Sequence, residues 1–271
     1  MLFVCPKCKS KLTKTPDNRA VCENGHSYDR SKEGYYNLLL NNSGKTHGDN
    51  REMVLARRAF LESGAYLPLS DKLCEAVEKN LNPGYHILDG GCGEGYYTDR
   101  IARRISSVPG VTVSGFDISR DAVKFAAKKN PSISLAVASS YDMPLADKSV
   151  DILLNVFAPQ ALSETLRVLR AGGKFIMAIP AQNHLFGLKS VLYERPYKNT
   201  VDTSELSGLS LISEERIYYT LRLDTKEKIN SLFMMTPYAY RTPPHARERL
   251  LSLDFLETEI DFIVFTYERN L

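Results

Sequence analysis

A chain of 271 residues, 43% hydrophobic and 25% charged, is long enough for one large core and a small appendage and has the composition of a folded globular protein. No apolar run approaches the ~20 residues that span a bilayer, and "MLFVCPKCKS" lacks the basic-then-apolar order of a signal peptide, so a cytoplasmic protein with no membrane partner is expected. The formal charge of +3 excludes a strongly polyionic chain, but residues 1–60 hold eleven Lys/Arg against six Asp/Glu (+5), while the remaining 24 basic and 26 acidic residues give −2.

The first element is a cysteine cluster. Cys5-x-x-Cys8, thirteen residues, then Cys22-x-x-x-His26 is metal-ligand spacing, and three thiolates with one imidazole suit a single tetrahedral Zn2+. The alternative is a set of reduced, unliganded cysteines. A closed four-ligand site leaves no place for substrate, so the zinc is read as structural, stapling a module over residues 1–40 too small to fold on a core of its own. Its loss is expected to loosen that module and spare the rest. Lys7, Lys9 and Lys11 are expected to keep the thiolates deprotonated. With Tyr28, Tyr35 and Tyr36 the lysines form a cationic and aromatic set suited to phosphates and unpaired bases; a solvated face is the plainer reading.

Residues 41–84 read as linker and helices. "NNSGKTHGDN" is polar and places His47 in solvent, with a secondary role as a metal ligand as the other reading. "REMVLARRAFLESGAY" and "LSDKLCEAVEKNL" have helical periodicity, with Ser70 as N-cap of the second helix and Cys74 in the core.

From residue 85 to 271 apolar strands alternate with helices, which predicts a doubly wound parallel α/β sheet. "RIYYTLRL" and "FLETEIDFIVFTYER", around a helix near 226–235, predict an antiparallel pair at its edge. The chemistry concentrates in "HILDGGCGEGYYTDRIA", a strand ending in Asp89, a turn with Gly91, Gly93 and Gly95, then a helix. A dinucleotide fingerprint begun at Gly91 would need its last glycine where Tyr96 stands. The D-x-G-x-G-x-G spacing is instead that of the S-adenosylmethionine loop of Rossmann-like, class I methyltransferases, with another nucleotide as the alternative. Asp117 ends the next strand, where a carboxylate can accept from two ribose hydroxyls. Cys92 is a small loop residue. Ser139 stands where such enzymes often carry an adenine-binding acid, just before the Met143-Pro144 turn.

Taken together, "CPKC…C…H", "KEGYYNLLL", "ARRAFLESGAY", "LDGGCGEGYYT", "GFDISRDAVKFAAKK", "VASSYDMP" and "MMTPYAYR" resemble the zinc-containing 23S rRNA guanine-N1-methyltransferases, a family that includes enzymes of tylosin-type macrolide resistance. The resemblance implies zinc ligands Cys5, Cys8, Cys22 and His26. It implies cofactor contacts from Asp89, Gly91, Gly93, Tyr97, Thr98 and Asp117, with Tyr66 and His184 covering the cofactor. Read without it, Tyr66 is a packed helix-end tyrosine and His184 an exposed loop histidine. The family substrate is a 23S rRNA hairpin. Lys7 and Lys9 are then candidates for RNA contact, and Asn155 and Pro159 in "NVFAPQ" for lining the acceptor pocket. No residue declares itself as general base. A homodimer with a basic cleft is an open arrangement. The rivals are a methyltransferase acting on a quinone or metabolite, and a non-catalytic RNA-binding protein using the fold as scaffold.

Overall fold

The computed structural model describes residues 2–40, 48–201 and 206–271. A three-stranded antiparallel sheet comes first, from β1 (Thr13–Lys14), β2 (Arg19–Val21) and β3 (Ser27–Asp29). The next strand, β4 (Tyr36–Asn37), leaves that sheet and lies parallel to β7 (Ser134–Val137) as the outer strand of the main one.

The main sheet is built on β5 (His86–Gly90), β6 (Thr112–Asp117), β8 (Val150–Val156) and β9 (Leu169–Pro180). With the antiparallel β10 (Leu209–Leu223) and β11 (Leu256–Arg269), its order is β10-β11-β9-β8-β5-β6-β7-β4. Every residue of β5 and β8 is buried, as strands covered on both faces require. The expected antiparallel edge is present: β11 pairs antiparallel with β9 and with β10. The Ala171-Gly172-Gly173 turn is absorbed into β9, whose register with β8 shifts after Val150.

One face packs on α1 (Arg51–Glu62), α2 (Leu67–Lys79), α3 (Tyr96–Arg104), α6 (Phe186–Leu192), α7 (Lys226–Met234) and α8 (Pro244–Leu251). Asn50 caps α1 by accepting from Met53 N at 2.9 Å. Ser70 does not cap α2. That helix starts at Leu67 with Pro68 in its first turn, where a missing N–H costs nothing, and Ser70 accepts from Arg100 Nε at 2.7 Å. Cys74 is in the core, as expected.

The opposite face is where the amino-terminal module differs from an independent knob. Phe3, Cys5, Leu12, Ala20, Cys22, Tyr36 and Leu38 share one apolar cluster with Leu88, Phe116, Leu145 and Phe175. Phe3 bridges Leu145, Val4 N donates to Pro144 O at 2.8 Å, and Leu38 N to Val137 O at 2.9 Å. Tyr35 and Tyr36 are therefore buried and offer no ring to a nucleic acid; the outer strand takes them inward. Tyr35 lies in a smaller cluster with Cys92 and with Val123 and Ala126 of α4 (Arg120–Lys129).

Phe3 is 1% exposed although it is the third residue. Phe3→Ala should destabilise the protein by about 3–5 kcal/mol, the cost of emptying a packed aromatic site. Denaturant melts followed by fluorescence and by circular dichroism should shift together.

Candidate active site and metal centre

One ligand atom from each of Cys5, Cys8, Cys22 and His26 lies within 4.8 Å of all the others. Cys8 Sγ and Cys22 Sγ are 3.7 Å apart, and His26 Nδ1 is 3.4 Å from Cys5 Sγ and 3.5 Å from Cys22 Sγ. A tetrahedral zinc ion has S–S edges of about 3.8 Å and S–N edges of about 3.6 Å. Three of the six donor–donor distances thus match edges of a zinc tetrahedron, and all four corners are supplied by the chain. Tyr28 Oη is 3.2 Å from Cys5 Sγ, so the hydroxyl of this half-buried tyrosine serves the thiolate. The Cys8 thiol is lowered to about 5, first by the Asn24 side chain and then by Ser10, and not chiefly by the lysines. Lys9 instead pairs with Asp142. Lys7, Lys11 and Lys14 are exposed. His47 lies outside the described residues.

The glycine loop opens at the carboxyl ends of β5, β6 and β8, where the strand order reverses and open α/β sheets take their ligands. Gly91, Gly93 and Gly95 all have positive φ. At Gly91 the reason is also steric: a Cβ would stand 2.4 Å from that of Ala158. Above Gly93 a Cβ would meet only Arg57 Nη1, at 4.0 Å, which leaves a cradle against the backbone. Asp117 receives Gly93 N at 3.0 Å and Ser119 N at 2.7 Å. Burial raises it against those two bonds. Asp89 accepts from Thr98 Oγ1 at 2.5 Å, while its Oδ1 and the hydroxyl of Tyr97 are buried without a partner. Burial pushes Asp89 up to about 7. These groups fit S-adenosylmethionine: a buried carboxylate for its ammonium, a second for its ribose diol, and open backbone beside them. Cys92 is buried and its thiol is driven well up by burial, so it is no nucleophile.

Tyr66 and His184 meet as one buried unit, with Tyr66 Oη 3.3 Å from His184 Nε2. Asp261 N donates to Nδ1 at 3.4 Å, so Nε2 carries the proton and the tyrosine hydroxyl can donate onward. Burial and then the charge of Lys189 lower His184 to about 3, which keeps it neutral. Phe262 packs on both rings, 4.9 Å from Tyr66 and 4.4 Å from His184, between ring centroids. Asn155 is buried and donates Nδ2 to Pro159 O at 3.2 Å, holding its own loop, while Pro159 is exposed. Beside that loop a cavity of about 460 Å³ is lined by Ala158, Gln160, Met177, Ile179, Tyr197 and Tyr267. Phe157, which the sequence did not single out, is 41% exposed at φ 57°, a conformation with no signature in residue type.

Because the folded pKa of Asp89 lies above its ordinary 3.8, its neutral form contributes stability that is complete below pH 3.8 and lost as the pH rises through about 7. Asp89→Asn should therefore stabilise the free protein by roughly 2–4 kcal/mol above neutrality and little in acid, while weakening cofactor binding. Denaturant melts across pH and calorimetry with S-adenosylhomocysteine measure both effects. The zinc module also reaches this site, because Phe3 and Val4 bond to the Pro144–Leu145 stretch next to Ser139. Zinc chelation, or Cys8→Ala, should thus weaken S-adenosylhomocysteine binding several-fold, contrary to the expectation that the core would be spared.

A family model described as "Methyltransferase domain" matches residues 87–173, and one described as "RlmA, N-terminal" matches residues 3–43. The chain is 33% identical to a Streptomyces fradiae protein named 23S rRNA (guanine(748)-N(1))-methyltransferase, over 98% of this chain and 96% of that one. Bacillus subtilis YxjB, provisionally named a 23S rRNA (guanine-N(1)-)-methyltransferase, is 29% identical over 96% of this chain and 94% of its own. Symbiobacterium thermophilum demethylmenaquinone methyltransferase matches at 32%, but over 37% of this chain and 44% of its own. The solved structure of a Bacillus halodurans C-125 protein, 16% identical with a TM-score of 0.50, covers 74% of this chain and 100% of that one and shows a shared fold alone. The likeness to the rRNA enzymes takes in the cysteine cluster, the glycine loop and the antiparallel end together, and the chain belongs to the family of 23S rRNA (guanine-N1)-methyltransferases.

Proposed function

We propose that this protein transfers a methyl group from S-adenosylmethionine to N1 of a guanine in a 23S rRNA hairpin. The observation that carries the reading is the extent of the match. The relative named for rRNA covers 98% of the chain, zinc ligands included, whereas the quinone enzyme covers 37%.

When bound, the cofactor supplies a methyl group on a sulfonium, and the protein's work is alignment and exclusion of water. Asp117 would hold the ribose, and Asp89 the ammonium. Tyr66, its hydroxyl oriented by His184, would cover the sulfonium end. Guanine N1 carries a proton at neutral pH, and the in-plane electron pair that would accept the methyl group is the one freed when that proton passes to water, so the chain's part is to hold N1 in line with the cofactor and open to a proton acceptor. N1 lies on the pairing edge, so the guanine has to be unpaired, as in a hairpin loop.

In this reading residues 1–40 grip RNA, 41–84 link that module to the sheet and bring Tyr66 to the cofactor, and 85–271 carry the rest of the methyl-transfer site. Two copies side by side would join their basic ends into one cleft, and a ribosomal substrate places the protein in the cytoplasm. A role in macrolide resistance would show as lower susceptibility in expressing cells.

Primer extension on 23S rRNA tests the reading, since N1-methylguanine stops reverse transcriptase: the stop should vanish in cells lacking the protein and return on incubation with it. Methylation of a quinone instead of the RNA would overturn it. Replacing Lys7, Lys11 and Lys14 together with Ala should lower the salt slope of RNA binding by about 0.7–0.9 for each phosphate left without its cation, with cofactor affinity unchanged. Filter binding at several salt concentrations reads the slope.

A further inference from the structure

Phe157 is an aromatic side chain held where its backbone is strained. It follows the last residue of β8 at φ 57°, a region that favours glycine or asparagine. The strain is fixed on both sides. Phe157 N donates to Ala178 O at 3.1 Å, and Asn155 Nδ2 ties the loop through Pro159 O. The next residue, Ala158, occupies the space that Gly91 leaves open.

The loop could have relieved this with glycine. Instead it carries a large apolar ring, 41% exposed, at the carboxyl end of a fully buried strand. The ring is not loose. Its centroid is 5.0 Å from that of Phe262 and 6.5 Å from that of Tyr66, the residue that meets His184. Part of its surface is covered by these neighbours and part is free. A fixed, exposed ring beside the cofactor-covering pair is what a purine needs in order to stack.

We propose that Phe157 is the platform on which the target guanine stacks once it has left its RNA stack, an assignment that rests on the functional reading above. The strained turn aims the ring, and the acceptor edge is presented by stacking. Stacking is indifferent to hydrogen-bond pattern, so Phe157 supplies grip and orientation of the base, while the choice of guanine rests with other groups.

The test uses the full-length protein and an RNA hairpin whose modified guanine has been located by primer extension, with a second hairpin carrying an abasic ribose at that position. Filter binding in the presence of S-adenosylhomocysteine should show the parent losing about fivefold to a hundredfold on removal of the base. Phe157→Leu and Phe157→Gly should bind both hairpins alike, and Phe157→Tyr should behave as the parent. The proposal is overturned if Phe157→Leu still discriminates like the parent, or if the variants lose affinity for S-adenosylhomocysteine itself by the same factor. If the parent transfers no methyl group to the RNA, the functional reading fails first and the stacking role falls with it, an outcome visible before any variant is made.

Discussion

A tetrahedron with every edge under 5 Å governs how the first 40 residues meet the rest of the molecule. Strands of two or three residues cannot hold a sheet together by their own hydrogen bonds. Tied at four points to one ion, they become a rigid plate, and that plate carries Phe3, Leu12 and Ala20 into the apolar cluster under the main sheet. The metal therefore organises a wall of the methyl-transfer domain as well as the segment that contains it.

The second constraint is electrostatic. Asp89 and Glu94 are buried and Asp117 half-buried at one end of the sheet, and desolvation raises all three. Arg57, paired with Asp49, is a cation that opposes the shifts of Glu94 and Asp117. Such a cluster is a poor way to stabilise a free protein and a good way to receive a cationic ligand, because the ligand supplies the missing counter-charge. The phenols of Tyr66 and Tyr97 are driven well up by burial and stay protonated beside it, as donors and not as charges.

Much of this was legible in the sequence, for identifiable reasons. Metal-ligand spacing is local, so Cys5, Cys8, Cys22 and His26 could be read without a fold. The glycine loop declares itself because close approach of a ligand excludes side chains, and the parallel strands because burial on both faces excludes polar residues. Long-range pairing was not legible. Nothing in "KEGYYNLLL" says that Tyr36 and Asn37 will lie beside Ala136 and Val137, and so the tyrosines read as exposed aromatics. Ser70 misled because a serine before an apolar run is a capping signal, whereas the proline at position 68 set the helix start. Phe157 was missed because a left-handed φ at a phenylalanine is imposed by its surroundings.

The parallel pairing of β4 with β7, together with the bridge from Phe3 to Leu145, imposes an order on biosynthesis. Residues 3–37 leave the ribosome well before their partners, which are made 100 residues later or more. At about 5–20 residues per second, the amino-terminal end waits on the order of ten seconds before its docking surface exists. Its metal ligands, by contrast, are complete once residue 26 has emerged. Early capture of zinc would give the nascent end a compact form in which to wait, with its thiols coordinated rather than exposed to oxidation, until the sheet arrives to receive it.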